Sequence, residues 1–422
     1  MTTILFTRDD LILRPNDPEL KYHRRKDDQK LSVHWGQRKL FIGELQFLTL
    51  FWNPQEVPSP IVVYAGAAPG IHIPFLSSLF PQMTFHLYDP ASFLMDQHNE
   101  RIHLYNRKFD VSEAKRWAGR KDVFFISDIR TADYKIMSPE QNEAAIIEDM
   151  QNQACWYKII KPVHALLKFR LPYPGLGQPS KFKYLDGYIF KQVWAPQTTT
   201  ETRLVPFGDN EVEYDILKYE SQMFYHNTQI REQTSFLNPI TSQAEPIAKP
   251  NLLNDFDSCA EAIILLDYLK KMNGFGNTSM ISALSNRITQ EMNRHKKTDI
   301  YTLETLRQNE TKSTTKLACQ RSSKLDKKNI RKSRDPDDNK SKNTDDNKSK
   351  NIDDNKSKNI DDNKSKNTDD NKSKNIDDNK SKNTDDNKSK NIDDNKSKNT
   401  DDNKSKNTDD NKSKNTDENL HI

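Results

Sequence analysis

The chain has 422 residues, 33% of them hydrophobic and 30% charged, with a formal net charge of only +4. That balance is too polar for a core packed from end to end and too neutral to identify a nucleic-acid partner by charge alone. No run of about 18 apolar residues occurs, so composition excludes a membrane-spanning helix. The cysteines Cys155, Cys259 and Cys319 are too few and too scattered for a disulfide framework or a zinc site. Met1 to Asp10 lacks a basic start followed by an apolar core. A soluble protein of a reducing compartment, without metal or membrane partner, is the expectation.

In chain order, Gln37 to Trp52 places Leu40, Phe41, Leu45, Phe47, Leu48 and Phe51 at helical spacing and stops at Asn53-Pro54, which predicts a packed helix. Val62 to Ala65 predicts a buried strand that passes through Gly66-Ala67-Ala68-Pro69-Gly70 into a helix, with Pro69 suited to the first helical position. Thr84 to Tyr88 predicts a second strand closed by Asp89, at the separation where a carboxylate accepts hydrogen bonds from a ribose diol. A short helix near Ser112 to Trp117 and a strand from Val123 to Ser127 follow, the strand ending at Asp128. Pro139 to Ile160 reads as a long helix and Ala165 to Phe169 as a fourth strand. Tyr188 to Val193 and Tyr214 to Leu217 are candidate strands, and Cys259 to Met272 is an amphipathic helix added at the C-terminal end.

Strands alternating with helices predict an α/β fold with a parallel sheet and a site at the carboxyl ends of its strands. A dinucleotide site would carry Gly-x-Gly-x-x-Gly, whose amides cradle a pyrophosphate; here Pro69 removes one amide. The expected ligand therefore lacks a pyrophosphate, and S-adenosylmethionine fits, with its ribose on Asp89. A plain structural turn after a core strand is the alternative for this segment.

Beyond Ile300 order becomes doubtful. Arg321 to Arg334 carries Arg321, Lys324, Lys327, Lys328, Arg331, Lys332 and Arg334 against one acid, a nucleic-acid tether, an import signal or a basic linker. From Asp337 to Thr416 the octapeptide Asp-Asp-Asn-Lys-Ser-Lys-Asn-(Thr/Ile) recurs ten times. It has almost nothing to bury, so it cannot offset its conformational entropy and is expected to be disordered.

Lys39, Asp128, Lys168 and Glu201 lie at the functional edge of the predicted sheet or on flanking elements. Two lysines and two carboxylates together can position a hydroxyl and remove its proton. Burial and a second ammonium lower a lysine's pKa toward the working range of a base. That role falls to Lys168, oriented by Asp128, with Lys39 as the second ammonium and Glu201 holding Lys168. Taken singly, each of the four is an ordinary surface charge.

At these residues the chain resembles the cap-specific mRNA 2′-O-methyltransferases of large DNA viruses, typified by the poxvirus enzyme that also serves as a poly(A) polymerase subunit, and more broadly the FtsJ-like group. The likeness runs from about Tyr22 to Asn227. It rests on Gly36-Gln37-Arg38-Lys39-Leu40, Gly43-Glu44-Leu45, Tyr64 to His72, Asp89, Ser127-Asp128, Leu167-Lys168-Phe169-Arg170 and Ala195-Pro196 leading to Glu201-Thr202-Arg203-Leu204.

The resemblance implies a Rossmann-like S-adenosylmethionine-dependent methyltransferase fold with a C-terminal helical addition and a disordered repeat tail. Together with the composition of the C-terminal part, it gives the expected division into a methyltransferase domain (1–250), a helical extension (251–300), a basic linker (301–336) and the repeats (337–416). It places the family's Lys-Asp-Lys-Glu tetrad on Lys39, Asp128, Lys168 and Glu201, and the S-adenosylmethionine site on Tyr64, Gly66, Gly70, His72, Asp89 and Asp110. Capped mRNA is the implied substrate, its guanine held by Tyr22, Tyr173 and Glu220; three residues before Glu201, where the family has a second stacking tyrosine, this chain has Thr198. Viral transcription or polyadenylation machinery in the host cytoplasm is the implied partner. Methylation of an internal ribose, and a non-catalytic RNA-binding subunit on the same fold, stay open.

Overall fold

The structure, a computed structural model, describes residues 3–25, 32–95, 100–175, 179–294, 296 and 300–310. Residues 311–336 of the expected basic linker and the octapeptide array lie outside the described residues.

The chain opens with β1 (Thr3–Leu5) and β2 (Ile12–Leu13), then α1 (Gly36–Phe51), β3 (Ile61–Ala65), α2 (Ile73–Leu79), β4 (Thr84–Tyr88), β5 (Ile102–Tyr105), α3 (Val111–Trp117), β6 (Val123–Ser127), α4 (Pro139–Ile160) and β7 (His164–Phe169). Next come β8 (Lys181–Phe190), β9 (Thr202–Asp215), α5 (Ile216–Tyr225), a π-helical turn (His226–Ile230), α6 (Arg231–Gln233) and β10 (Ser235–Leu237). The last named helices are α7 (Phe256–Asn273) and α8 (Thr278–Asn293).

Eight strands form one sheet in the order β2-β8-β9-β7-β6-β3-β4-β5. The five from β7 to β5 are mutually parallel, while β9, β8 and β2 pair antiparallel along the other edge. From β3 the chain builds outward through β4 and β5, then returns to place β6 on the other flank of β3. This reversal opens a crevice beyond the carboxyl ends of β3 and β6, the usual ligand position in such sheets.

Side-chain alternation divides the core. Val62, Tyr64, Phe85, Leu87 and Phe124 face α1, α2, α7 and α8, whereas Val63, Ala65, Tyr88 and Phe125 face α3 and α4. The helix expected at 37–52 is present, but it is buried nearly all round, because α7 and α8 cover the flank opposite the sheet. Order also continues past Ile300: residues 303–310 are helical, and Leu303 is fully buried in the same core.

Three expectations are corrected. Pro69 does not begin a helix: it sits in the turn, after a cis Ala68–Pro69 peptide, and the proline in the first turn of α2 is Pro74. Residues 214–217 are not a strand, since Tyr214-Asp215 ends β9 and the Asp215 carboxylate accepts from the Lys218 amide to start α5. The strand expected at 188–193 begins earlier, at Lys181, and ends at Phe190.

Candidate functional site

The site is built where β3 and β6 end side by side. The amide of Asp128 donates to the carbonyl of Ala65 at 2.9 Å, so the last residue of β3 fixes the first residue beyond β6. Gly66 follows at φ +81°, and a Cβ there would lie 2.8 Å from the Asp128 carbonyl carbon. Glycine is thus required at 66 by the protein's own backbone as well as by the turn.

The turn's amides are committed within the chain. Gly66 and Ala67 donate to the Tyr88 carbonyl at 2.8 and 3.3 Å, and Ala68 donates to Asp89 Oδ2 at 3.1 Å. Pro69 has no N–H. Residues 66–69 therefore offer no amide cradle for a pyrophosphate. Asp89 Oδ1 accepts from the Ala91 amide at 2.8 Å, and two carboxylate oxygens with about four acceptor sites leave room for a diol. Gly70 closes the turn at φ +70°.

Tyr64 and His72 brace this turn from behind. The Tyr64 hydroxyl donates to Glu44 Oε1 at 2.7 Å, and His72 Nε2 lies 2.9 Å from Glu44 Oε2, with Nδ1 3.0 Å from Gln37 Oε1. Both side chains are buried. Burial, then the Glu44 carboxylate beside it, pushes the Tyr64 hydroxyl well above its usual pKa, so it remains a donor. Asp110 caps α3, accepting from the amides of Ser112 and Glu113 at 2.8 and 3.0 Å; the Glu113 amide leads the causes that hold its carboxyl below the ordinary range.

Beside the turn, the four charged residues singled out from the sequence come together. Lys168 Nζ stands 2.9 Å from Asp128 Oδ1 and 3.6 Å from Glu201 Oε2, and Lys39 Nζ is 2.7 Å from Glu201 Oε1. Glu201 is thus nearer to Lys39 than to Lys168, and Asp128 is the closer partner of Lys168. Lys39 comes from the first turn of α1, Asp128 from the end of β6, Lys168 from β7, and Glu201 from the residue before β9.

A fifth member joins them. Arg203 Nη2 lies 2.7 Å from Asp128 Oδ1, and its Nη1 lies 3.3 Å from Glu201 Oε1. Arg130 reaches Glu201 Oε2 at 3.4 Å from the solvent side. Four cations therefore surround two carboxylates. Burial alone would raise both acids, but Lys168 and Arg203 hold Asp128 below the usual carboxylate range, and Lys168, Lys39 and Arg203 hold Glu201 well below it. Burial pulls the Lys39 ammonium down, against the opposing effect of Glu201.

The Glu201 segment is clamped. Gln192 Nε2 donates to the carbonyl of Glu201 at 2.9 Å and to its Oε1 at 3.0 Å, and Asn227 Nδ2, in the π-helical turn, donates to the Thr199 carbonyl at 2.7 Å. A π-turn inside a helix is uncommon and is often found next to functional sites.

The residues expected to hold a cap are more dispersed. The Arg170 guanidinium covers the Tyr173 ring at 4.2 Å, and the Tyr173 amide donates to Glu143 Oε2 at 2.9 Å. Tyr22 is 53% exposed and packs edge-on against Phe224 of α5 with centroids 5.3 Å apart. Glu220 lies one helical turn before Phe224, and burial raises its carboxyl pKa. Among the described residues Tyr22 and Tyr173 make no ring contact with each other. The same holds for metal sites: among the described residues no cluster of His, Cys, Asp and Glu is arranged to hold an ion, and no helix is long and apolar enough to cross a membrane.

Sequence reasoning gave no role to Arg203, Arg130 or Glu44. Arg203 had a signal, standing two residues after Glu201 and so on the same face of a strand. Glu44 had one too, as a carboxylate amid the apolar positions of α1, where burial demands a partner.

Comparison with known proteins adds to this geometry. The cap-specific mRNA (nucleoside-2′-O-)-methyltransferase of Fowlpox virus (strain NVSL) is 30% identical over 214 residues, which cover 46% of this chain and 68% of that protein. The protein of the same name from Myxoma virus (strain Lausanne) is 29% identical over 236 residues, 51% of this chain and 68% of the relative. A family model described as the poly(A) polymerase regulatory subunit matches residues 5–262, a span that holds α1, the glycine turn and all six members of the charged cluster. With more than half its length inside that match, the chain belongs to the poly(A) polymerase regulatory subunit family.

Proposed function

We propose that this protein transfers the methyl group of S-adenosylmethionine to the 2′-oxygen of a ribose, on the first transcribed nucleotide of capped mRNA. The observation that carries the reading is the contiguity of two parts: the turn from Gly66 to Gly70 and the cluster around Lys168, joined through the Ala65–Asp128 hydrogen bond. The relatives' names, which specify a cap-specific 2′-O-methyltransferase, support it.

The residues fit such a donor. Residues 66–69 have no free amide for a phosphate, and Asp89 follows β4 with acceptor capacity for a ribose diol. When bound, the donor supplies an electrophilic methyl on a sulfonium whose leaving thioether is neutral.

The chain's own groups perform the rest. Lys168 would take the proton of the attacking 2′-hydroxyl at Nζ while that oxygen accepts the methyl of the bound donor. Asp128 orients Lys168, and Glu201 ties Lys39 into the same cluster. The cationic surplus from Lys39, Arg203 and Arg130 favours loss of that proton and attracts RNA phosphates. Positioning supplies much of the rate, since an aligned pair of reactants avoids the entropy of encounter.

Tyr173 tests the substrate. Stacking on a base is worth about 1–3 kcal/mol, so Tyr173→Ala should lower transfer to capped RNA about tenfold and change transfer to uncapped RNA little. An equal fall on both would remove Tyr173 from cap recognition and favour an internal ribose as the target.

The family description also supports a second role on the same fold, as a partner of a poly(A) polymerase. Under that reading Lys168→Ala leaves the partner's polyadenylation unchanged, because Lys39, Arg203 and Arg130 still supply the positive charge that attracts RNA.

A further inference from the structure

Between β6 and α4 runs a loop, residues 128–138, that carries the two most exposed large hydrophobic side chains among the described residues: Ile136 is 80% and Tyr134 67% exposed. Its backbone is pinned. The amide and hydroxyl of Thr131 donate to the two carboxylate oxygens of Asp149 in α4 at 2.8 and 2.9 Å. The Lys135 amide donates to Asp133 Oδ1 at 2.9 Å, and the amides of Ile136 and Met137 donate to the Asp133 carbonyl at 3.2 and 2.9 Å. The fold thus holds Tyr134 and Ile136 out to solvent on a braced turn.

The same loop borders the charged cluster at both of its anchors. Arg130 reaches Glu201 Oε2 at 3.4 Å. Burial raises the carboxyl pKa of Asp149, and the two bonds from Thr131 and the charge of Lys168 oppose that rise, so this anchor also lies within range of Lys168. Tyr134 follows Arg130 by four residues, which at about 3.3–3.6 Å per residue keeps their Cα atoms within about 14 Å. Asp133 is the one acid between Ile129 and Ser138, against Arg130 and Lys135. A single exposed hydrophobic side chain is ordinary on a surface, but two on one braced loop at the rim of a cationic site mark a contact surface.

We propose that residues 130–136 receive the RNA strand on the 3′ side of the reacting ribose: Tyr134 stacks on a base, Ile136 borders that stack, and Arg130 and Lys135 pair with phosphates. The inference rests on the methyl-transfer reading, because the first transcribed nucleotide has the cap on its 5′ side and the body of the strand on its 3′ side. An aromatic ring flanked by cations is the usual unit of single-strand binding. A protein partner needs a far wider surface, about 800 Å² on each side, than two side chains supply. Every base has a π-face, and Arg and Lys read phosphate charge rather than base identity, so the loop selects for a strand and not for a sequence. A capped dinucleotide is too short to use it.

Fluorescence anisotropy of the full chain with a capped hexanucleotide and with a capped dinucleotide tests this. Tyr134→Ala should weaken the hexanucleotide about tenfold, the loss expected of one stacked base, and leave the dinucleotide unchanged. Tyr134→Phe keeps the ring and should bind both like the unsubstituted chain. Lys135→Gln should reduce the slope of log affinity against log salt by about one for the hexanucleotide. Hexanucleotide binding that is indifferent to Tyr134→Ala overturns this inference alone and leaves the exposed pair to a protein partner. Equal weakening of both RNAs also overturns it, since the ring would then act at the cap or on the fold. Binding of neither RNA by the unsubstituted chain overturns it together with the reading on which it rests.

Discussion

Replacing Lys168 with alanine is expected to lower methyl transfer about a thousandfold, within the roughly 10²–10⁴ range of a positioned general base, while S-adenosylmethionine binds nearly as before. The cluster itself predicts that separation. Without Lys168, Asp128 keeps Arg203 at 2.7 Å, and Glu201 keeps Lys39 at 2.7 Å and Arg203 at 3.3 Å, so no carboxylate is left unpaired. The turn from Gly66 to Ala68 is held by the Tyr88 carbonyl and the Asp89 carboxylate, neither of which pairs with Lys168. Equilibrium binding of the donor, measured beside single-turnover transfer, checks both halves. Loss of donor binding would make Lys168 a structural residue.

The largest stability effect is expected at Glu261, far from Lys168 in sequence but tied to the helix that carries Lys39. Arg38, the neighbour of Lys39, is fully buried, and its guanidinium meets Glu261 through Nε at 2.7 Å and Nη2 at 2.5 Å. Glu261 Oε2 also accepts from Trp194 Nε1 at 2.7 Å, and Oε1 accepts from the Ser285 hydroxyl at 2.7 Å. One carboxylate thus joins α1, α7, α8 and the segment leading to Glu201. Removing one partner of a buried pair strands the other charge and costs about 3–5 kcal/mol. That is a large share of the roughly 5–15 kcal/mol that holds a domain together.

Glu261→Ala should therefore lower the midpoint of chemical denaturation strongly. The double variant Arg38→Met with Glu261→Leu should recover much of the loss, since an apolar replacement strands no charge. A single variant as stable as the starting protein would show that Arg38 is hydrated or paired elsewhere.

How much of this was legible in the sequence depended on the kind of signal. The charged cluster was, because strand ends mark themselves: Ser127-Asp128 and Leu167-Lys168-Phe169 each close an apolar run with one ionisable residue, and parallel strands bring such ends to one edge. The antiparallel edge was not. β9 runs fourteen residues, with Gly208 to Glu213 mostly polar, and β8 changes register between Leu185 and Gly187, so neither shows a steady two-residue period. Because β9 went unrecognised, Arg203 had no strand to place it opposite Asp128.

Tyr214 to Leu217 illustrates a different limit. Four residues of that composition suit a strand or a helix start, and the decision was made by the Asp215 cap and by burial of Ile216 and Tyr219 against β9 and its neighbours. The glycine turn was read wrongly in its geometry. Pro69 does deny an amide, but the helix it was thought to open starts four residues later, at Ile73. The near-complete burial of α1 was illegible for a third reason: the helices that cover its outer flank begin more than two hundred residues away.

The most direct test of methyl transfer to a cap-proximal ribose is to find where the methyl goes. The full chain is incubated with labelled S-adenosylmethionine and a short capped RNA, and the digested product is resolved by nucleotide position. Label on the 2′-oxygen of the first transcribed nucleotide, absent with Lys168→Ala, is the predicted result. Label on an internal ribose, on a base, or on RNA irrespective of Lys168 would contradict it.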